Sequence, residues 1–406
     1  MQSDTNAPRL CLLGDVVTLK RGYDLPERLR RPGRVPIVSS SGLSGFHEHA
    51  KVRSPGVVTG RYGTLGEVFY VTDDFWPLNT ALYVSDFKGN DPRFVAYLLR
   101  TLDLSILNDK SGVPGLNRND LHQIEVEVPS LDLQRVIASV LGALDDKIEL
   151  NIVISKVLED LRVSYFRSWF VEFDPVVAKR DGGTQIGVPV EATDLFPSHF
   201  EDSELGPVPG GWRIVPLDSV ADFLNGLALQ RYPPRDGDEL PVIKIAELRA
   251  GSSLGADRCG GVPPAYVIDD GDVVFSWSGS LMVDVWCGGK GALNQHLFKV
   301  TSSEVPKWFY FAWLNEHLPE FQTIAADKAT TMGHIRRFHL TDAKVLLPPE
   351  PLVKAMTSVQ QPLLDQIIHN RVESRTLAEL RDRLLGPFLS GELTIKSAEK
   401  AVGAAL

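Results

Sequence analysis

A chain of 406 residues with 43% hydrophobic and 8% aromatic residues has enough apolar surface for two or three domains, each with its own core. Its 52 acidic against 42 basic side chains give a formal net charge of −10, which excludes a protein coated in phosphate-binding surface and leaves only local basic patches. The three cysteines, Cys11, Cys259 and Cys287, are odd in number and far apart, so neither a disulfide framework nor a Cys-rich zinc site is expected and a reducing, cytoplasmic setting fits.

The amino-terminal MQSDTNAPRL has no basic segment leading into an apolar one, and no eighteen apolar residues run together, so neither export nor membrane insertion is expected. Residues 20–34 hold Lys20, Arg21, Arg28, Arg30, Arg31 and Arg34 against Asp24 and Glu27, a local excess of +4. His47, Glu48 and His49 could offer two alternate ligands on a strand, but a third ligand is missing and no metal is expected. The glycines of GRYGTLG (60–66) lack the Lys-Ser/Thr of a phosphate-cradling loop and read as a turn between strands. From residue 131 the spacing becomes helical, with Ile137, Val140, Leu144, Ile148, Leu158, Leu161 and Tyr165 at steps of three and four along one stripe.

The second half repeats the first. LGDVVTLKRGYDL (13–25) aligns with LDSVADFLNGLAL (217–229) at a shift of 204, GVVTGRYGTL (56–65) with DVVFSWSGSL (272–281), and LNTALYV (78–84) with LNQHLFK (293–299). LHQIEVEVP (121–129) lies on LTDAKVLLP (340–348) at a shift of 219, and the helical stripe then recurs without a gap as Met356, Val359, Leu363, Ile367, Leu377, Leu380 and Leu384. Asn151 in the stripe has its counterpart in Asn370. Gly142 and Pro362 predict a short helix, a break and then a long helix in each half, over about 143–170 and 362–389. A stripe that long needs a partner, and the other copy supplies it if the two helices run antiparallel with a globule at each end. Residues 173–211, rich in Gly, Pro and acid, read as an extended connector, whose 191–204 stretch alone carries −5. Gly288, Gly289, Lys290 and Gly291 read as a hairpin.

With VPSLDLQRVIASVLGALDDKIELN and PPEPLVKAMTSVQQPLLDQIIHN as paired segments, YFRSWFVEFDP after the first helix and LFPSHFEDSELGPVPGGW before the second globule, the chain resembles the specificity subunits of Type I restriction–modification systems. The resemblance spans nearly the whole chain. It implies an α+β fold with two α/β target-recognition domains in a pseudo-twofold tandem repeat, separated by two long antiparallel, coiled-coil-like helices. The expected boundaries are 1–130 and 212–349 for the recognition domains, 131–172 and 350–392 for the spacer helices, 173–211 for the linker and 393–406 for a tail. It also implies a non-catalytic subunit that binds a bipartite double-stranded DNA site and docks two methyltransferase subunits. Restriction subunits would join through the methylating core, and the assembled complex would use S-adenosylmethionine, with Mg2+ and ATP where restriction subunits are present.

A DNA reader needs Arg or Lys for phosphates and polar side chains held near base edges by a rigid scaffold. Turns with such groups recur at equivalent places: Arg61, Tyr62 and Thr64, then Lys110, Ser111, Asn117 and Arg118 in the first globule; Trp277, Ser278 and Ser280, then Lys328, Thr330, Thr331, His334 and Arg336 in the second. Together with Lys20, Arg21, Arg28, Arg30, Arg31 and Arg34 they are the candidate DNA contacts. Tyr165, Trp169 and Phe170 at the end of the first helix read either as outward aromatics that could anchor a methyltransferase subunit or as a cap on the helix pair's own core. No methyltransferase loop of the Asp/Asn-Pro-Pro-aromatic type is present, since Arg231-Tyr232-Pro233-Pro234 and Val262-Pro263-Pro264-Ala265 lack the polar residue that orients an amine. Two other readings stay open at this point, a helical scaffold without DNA affinity and a fused methyltransferase or nuclease.

Overall fold

The computed structural model describes residues 8–102, 115–183, 187–327 and 333–390. It divides into two compact units, one formed by residues up to 148 together with those from 376 onward, the other by residues 149–375.

The first unit is built on a four-stranded antiparallel sheet in the order Thr18–Arg21, Ala81–Asp86, Gly56–Gly60, Val68–Val71. A second sheet places Val35–Ser39 between Gly42–His47 and Trp76–Pro77, and Arg9–Leu12 pairs antiparallel with Glu125–Val128. The helix Pro92–Thr101 starts at Asp91, whose carboxylate accepts the N–H groups of Arg93 and Phe94, with Pro92 in the first turn. It buries Phe94, Val95, Leu98 and Leu99 in one core with Val57, Leu82 and Val84 of the sheet. The same core takes Ile137, Leu141 and Leu144 from the helix Leu131–Phe170, and Leu377, Leu384 and Phe388 from the helix Glu350–Leu389.

In the second unit the same plan returns. The order is Asp222–Asn225, Leu297–Thr301, Val273–Ser276, Met282–Val285, beside a four-stranded sheet centred on Leu240–Ile243 and Gly291–Leu293, a pair Arg213–Pro216 with Lys344–Leu347, and a helix Lys307–Asp327. The duplication read from sequence therefore holds strand by strand, with one correction. Ladder pairing sets Gly60 opposite Ala81 and Ser276 opposite Leu297, so the central strands correspond at a shift of 216 and the alignment of LNTALYV on LNQHLFK is one residue out. The slip matters because side chains alternate: at 216, Leu82 and Val84 fall on Phe298 and Val300, all on helix-facing cores, whereas at 215 the faces exchange.

Each long helix runs for 40 residues without the expected break. At Gly142 the Arg93 guanidinium donates to the glycine's own carbonyl at 2.9 Å and to Asp146, and a Cβ there would fall 2.7 Å from the guanidinium carbon. The glycine makes room for a side chain, not for a bend. Pro362 and Ser358 are exposed, so the Ser358 carbonyl that loses its helical N–H partner faces water and the helix continues. Within the second unit the two helices run antiparallel: Asn151 donates to Glu373 at 2.7 Å and to the Asn370 carbonyl at 3.5 Å, Asn370 donates to Ser155 at 3.3 Å, and Gln360 donates to the Arg162 carbonyl at 3.1 Å. Asn151 and Asn370, equivalent by sequence, meet each other. Buried polar pairs of this kind fix register in an otherwise apolar seam.

Two further expectations are overturned. The segment 173–211 is not an extended connector: it forms helices Asp174–Arg180 and Val190–Thr193 and a hairpin of Phe200–Ser203 with Gly206–Pro209. Val176, Ala192, Phe196 and Val208 are buried in the second unit's core, apolar anchors that the surrounding Gly, Pro and acid conceal. Residues 288–291 do not close a hairpin, because Met282–Val285 and Gly291–Leu293 belong to different sheets.

Candidate nucleic-acid interface

Three chain segments meet at one edge of the first globule's main sheet. The turn after Gly56–Gly60 is tied to the strand Ala81–Asp86 by the Arg61 N–H to the Thr80 carbonyl at 2.9 Å. It is tied to the segment before the short helix Arg118–Leu121 by a Tyr62–Gly115 bridge and the Leu116 N–H to the Arg61 carbonyl at 2.9 Å. Arg61, Tyr62, Thr64, Asn117 and Arg118 are thereby brought together. The Arg61 guanidinium lies 4.4 Å from the Tyr62 ring centroid and donates to its hydroxyl at 3.2 Å, while Tyr62 itself is 41% exposed. Asn117 is the helix cap, its side-chain oxygen accepting the Asn119 N–H at 3.0 Å, and Arg118 is exposed with no ion pair among the described residues.

The strand Thr18–Arg21 ends beside this edge, where Gly22 donates to the Ala81 carbonyl and Tyr23 to the Pro77 carbonyl. A Cβ at Gly22 would fall 2.1 Å from the Leu78 carbonyl oxygen, so only glycine fits that close approach; Gly226 meets the Asn294 carbonyl in the same way. Of the basic run, Lys20, Arg28 and Arg34 are exposed without an ion pair among the described residues, whereas Arg21 sits 3.6 Å from Asp24, Arg31 pairs with Glu48 at 2.9 Å, and Arg30 donates to the Ser44 carbonyl.

The second globule builds the equivalent edge from different chemistry. Ser278 bridges His334, Ile335 donates to the Trp277 carbonyl at 3.0 Å, and Gly279 donates to the Gly333 carbonyl at 2.8 Å. Trp277 donates from its indole to Asn225 at 2.9 Å and packs near His296 and His334 with ring centroids 6.1 and 6.4 Å away. Ser278 is corrected: it is buried and hydrogen-bonded to His296 at 2.8 Å, so it holds the turn and cannot face a ligand. Ser280 and Arg336 are exposed. Lys110, Ser111, Lys328, Thr330 and Thr331 lie outside the described residues.

Sequence reasoning missed Arg231. The 3-10 turn Leu229–Arg231 follows the first sheet strand just as Glu27–Leu29 does in the first globule, and Arg231 is exposed and unpaired among the described residues, as Arg28 is. The repeat offset of 204 carries Glu27 to Arg231 and Arg28 to Tyr232, so the repeat locates the turn but not the cation. His47 accepts the Arg31 N–H through Nδ1 at 3.0 Å and His49 sits 3.2 Å from Glu48; no metal-holding cluster occurs among the described residues.

Of the two readings of the helix-end aromatics, the partner anchor is overturned and the core cap holds. Trp169 and Phe170 are fully buried, stacked among Tyr165, Trp212, Trp308 and Phe309, and Tyr165 lies face to face on Trp169 at 5.0 Å. They close the second unit's core. The outward apolar face of the same helix lies earlier, in Leu150, Val153, Val157 and Leu161, at 51, 54, 60 and 38% exposure. Their spacing of three and four makes an outward stripe; Leu161, expected on the partner-facing stripe, belongs to this one, because Asn151, Ser155 and Arg162 take the buried side there.

Residues 11–160 match the model of the Type I restriction modification DNA specificity domain. The chain is 24% identical over 317 residues to the Type I restriction enzyme MjaIX specificity subunit of Methanocaldococcus jannaschii, covering 75% of this chain and 69% of that one. It is 21% identical over 386 residues to the HindI specificity subunit of Haemophilus influenzae, covering 81% and 84%. In fold it is similar to the crystal structure of the Type I restriction-modification system S subunit from M. genitalium, with a TM-score of 0.62 at 13% identity over 96% of this chain and 98% of that one. In sequence and in fold the chain is thus similar to the specificity subunits of Type I restriction–modification systems.

Proposed function

We propose that this subunit selects the target of a Type I restriction–modification complex by reading a bipartite site in double-stranded DNA, one half with each globule. The observation that carries the reading is the duplication of the whole sheet framework with divergent chemistry at the equivalent edges: Arg61 and Tyr62 in one globule, Trp277 with His296 and His334 in the other. A rigid scaffold with interchangeable edge residues suits base reading, and two different edges suit two different half-sites. The long helices, each contributing residues to both units, set the number of base pairs between the half-sites in this reading.

The subunit is non-catalytic, and methyl transfer belongs to its partners. Two methyltransferase subunits would use S-adenosylmethionine, and restriction subunits, where present, would bring the need for Mg2+ and ATP. The exposed stripe of Leu150, Val153, Val157 and Leu161 supports a docking surface for a methyltransferase subunit, since apolar side chains in a row on a helix bury well against a partner groove. Mapping methylated bases in cells with and without this chain tests the reading. A two-part motif that disappears with the chain is expected; an unchanged methylation map overturns it. Titration of the assembled complex against salt separates this reading from a scaffold without DNA affinity, because phosphate contacts must weaken steeply as salt rises.

A further inference from the structure

Beside the Arg61 edge, the first globule gathers a second group of side chains around Tyr23 and Trp76. Lys20 and Lys51 converge on one aromatic ring, with their ammonium nitrogens 5.7 and 5.9 Å from the Tyr23 centroid, and Lys51 also lies 5.0 Å from the Trp76 centroid. Tyr23 is held in place by its backbone N–H to the Pro77 carbonyl, by a 3.0 Å contact between its hydroxyl and that of Tyr83, and by an edge-on contact with Trp76. Lys51 is fixed at its backbone by a hydrogen bond to the Phe75 carbonyl. Trp76 is buried against His47, so the floor of the cluster is rigid.

Neither lysine has an ion pair among the described residues, although Arg21 and Arg31 nearby each have a carboxylate. Two like charges drawn to one ring, without a counter-charge, raise the local potential and favour an anion between them. The hydrogen bond with the Tyr83 hydroxyl first, and then the charges of Lys20 and Lys51, hold the Tyr23 phenol below its usual range. Among the described residues the second globule has no equivalent group. Repeat positions put Leu224 for Lys20, Leu227 for Tyr23 and Ala292 for Trp76, and Lys299, which stands for Tyr83, is paired with Asp272 at 2.8 Å.

We propose that Lys20 and Lys51, ordered over Tyr23 and Trp76, form a clamp for the phosphodiester backbone of the DNA half-site read by the first globule. This rests on the DNA-reading function proposed above. A lysine already seated on aromatic faces gives up less freedom on meeting a phosphate than one swinging in solvent, so the clamp positions the backbone while the Arg61 edge meets the bases.

The test is the assembled methyltransferase complex carrying Lys51→Ala, or Lys20→Leu with Lys51→Ala, on a duplex containing the mapped site, with affinity measured from 50 to 200 mM salt. Each lost phosphate contact lowers the salt slope by about 0.9, so the wild-type to Lys51→Ala affinity ratio should widen about 3.5-fold between 200 and 50 mM, and that of the double variant about 12-fold. Phosphate ethylation interference should lose its signal at positions confined to one half-site. Both lysines are exposed, so the variants fold, and circular dichroism verifies this. An unchanged slope and interference pattern, with wild-type binding intact, overturns the clamp alone; a wild-type complex that does not bind the duplex overturns the DNA-reading function with it.

Discussion

Arg162 illustrates how far a duplicated framework tolerates unequal residues. It is fully buried in the second unit, bound through Nε and Nη2 to Glu159 at 3.1 and 2.6 Å, with its guanidinium 4.7 Å from the Phe311 centroid and Nη1 without a partner among the described residues. Its counterpart by the 219 shift, Arg381 in the first unit, is better provided: Asp145 accepts from Arg381 at 2.7 Å, Arg100 at 3.0 Å and Tyr97 at 2.7 Å. The position equivalent to Asp145 is Leu364, which leaves Arg162 the more costly cation. Arg162→Met is therefore expected to raise stability by about 1 kcal/mol in urea unfolding, whereas Asp145→Asn should cost about 2 kcal/mol at neutral pH, allowing for partial exposure. Burial alone would raise the Asp145 carboxyl, but the hydrogen bonds from Arg381 and Tyr97 and the charge of Arg100 outweigh it and hold it below the usual range. A depressed carboxyl contributes stability above its unfolded value of about 3.9 and loses it as pH falls through the lowered folded value. The gap between wild type and Asp145→Asn should thus be constant from pH 7 to about 5 and shrink below 4, as read by melting at each pH; a gap that widens in acid contradicts the assignment.

At the scale of elements, the long helices were legible because their apolar stripe recurs at one fixed shift, and the sheets because strand alternation recurs as well. Exceptions have identifiable causes. Gly142 and Pro362 suggest a break when their neighbours are unknown; the Arg93 guanidinium against one and open water beside the other remove the reason for it. The one-residue slip between Leu78 and Val84 arose because matching Asn79 to Asn294 by identity outweighed the alternation that decides the faces. Segment 173–211 was misread because composition reports the Gly, Pro and acid residues and hides single anchors such as Phe196. The aromatic end of the first helix reads both ways in sequence, since its burial depends on Trp212 and Trp308, distant in sequence. This gives opposed predictions for one helix. Val157→Asp with Leu161→Asp should leave the melting temperature nearly unchanged and weaken methyltransferase binding on the order of 30-fold, measured by calorimetry or co-purification. Trp169→Ala should instead cost about 3–5 kcal/mol of stability through loss of a buried ring.

For the whole molecule, the net charge of −10 sets how DNA is approached. The acidic stretch 191–204 and the cations of the first globule are separate features of the chain, and the field of each is largely screened beyond the Debye length, about 8 Å at physiological salt. At long range a duplex meets net negative charge, and only at contact do Lys20, Arg28, Arg34, Arg61 and Arg118 act as local cations. Electrostatic steering should then be weak for the isolated chain. Its association rate is expected in the unsteered range of about 10^5–10^6 M−1 s−1 with little dependence on salt, while dissociation, which breaks phosphate contacts, accelerates steeply as salt rises. The assembled complex should bind more tightly, with a steeper salt slope, if its methyltransferase subunits supply further positive surface around the duplex. Stopped-flow association and dissociation on both forms at 50 and 200 mM salt check this, and an isolated chain whose association quickens a hundredfold at low salt would show that its basic patches outweigh its net charge even at a distance.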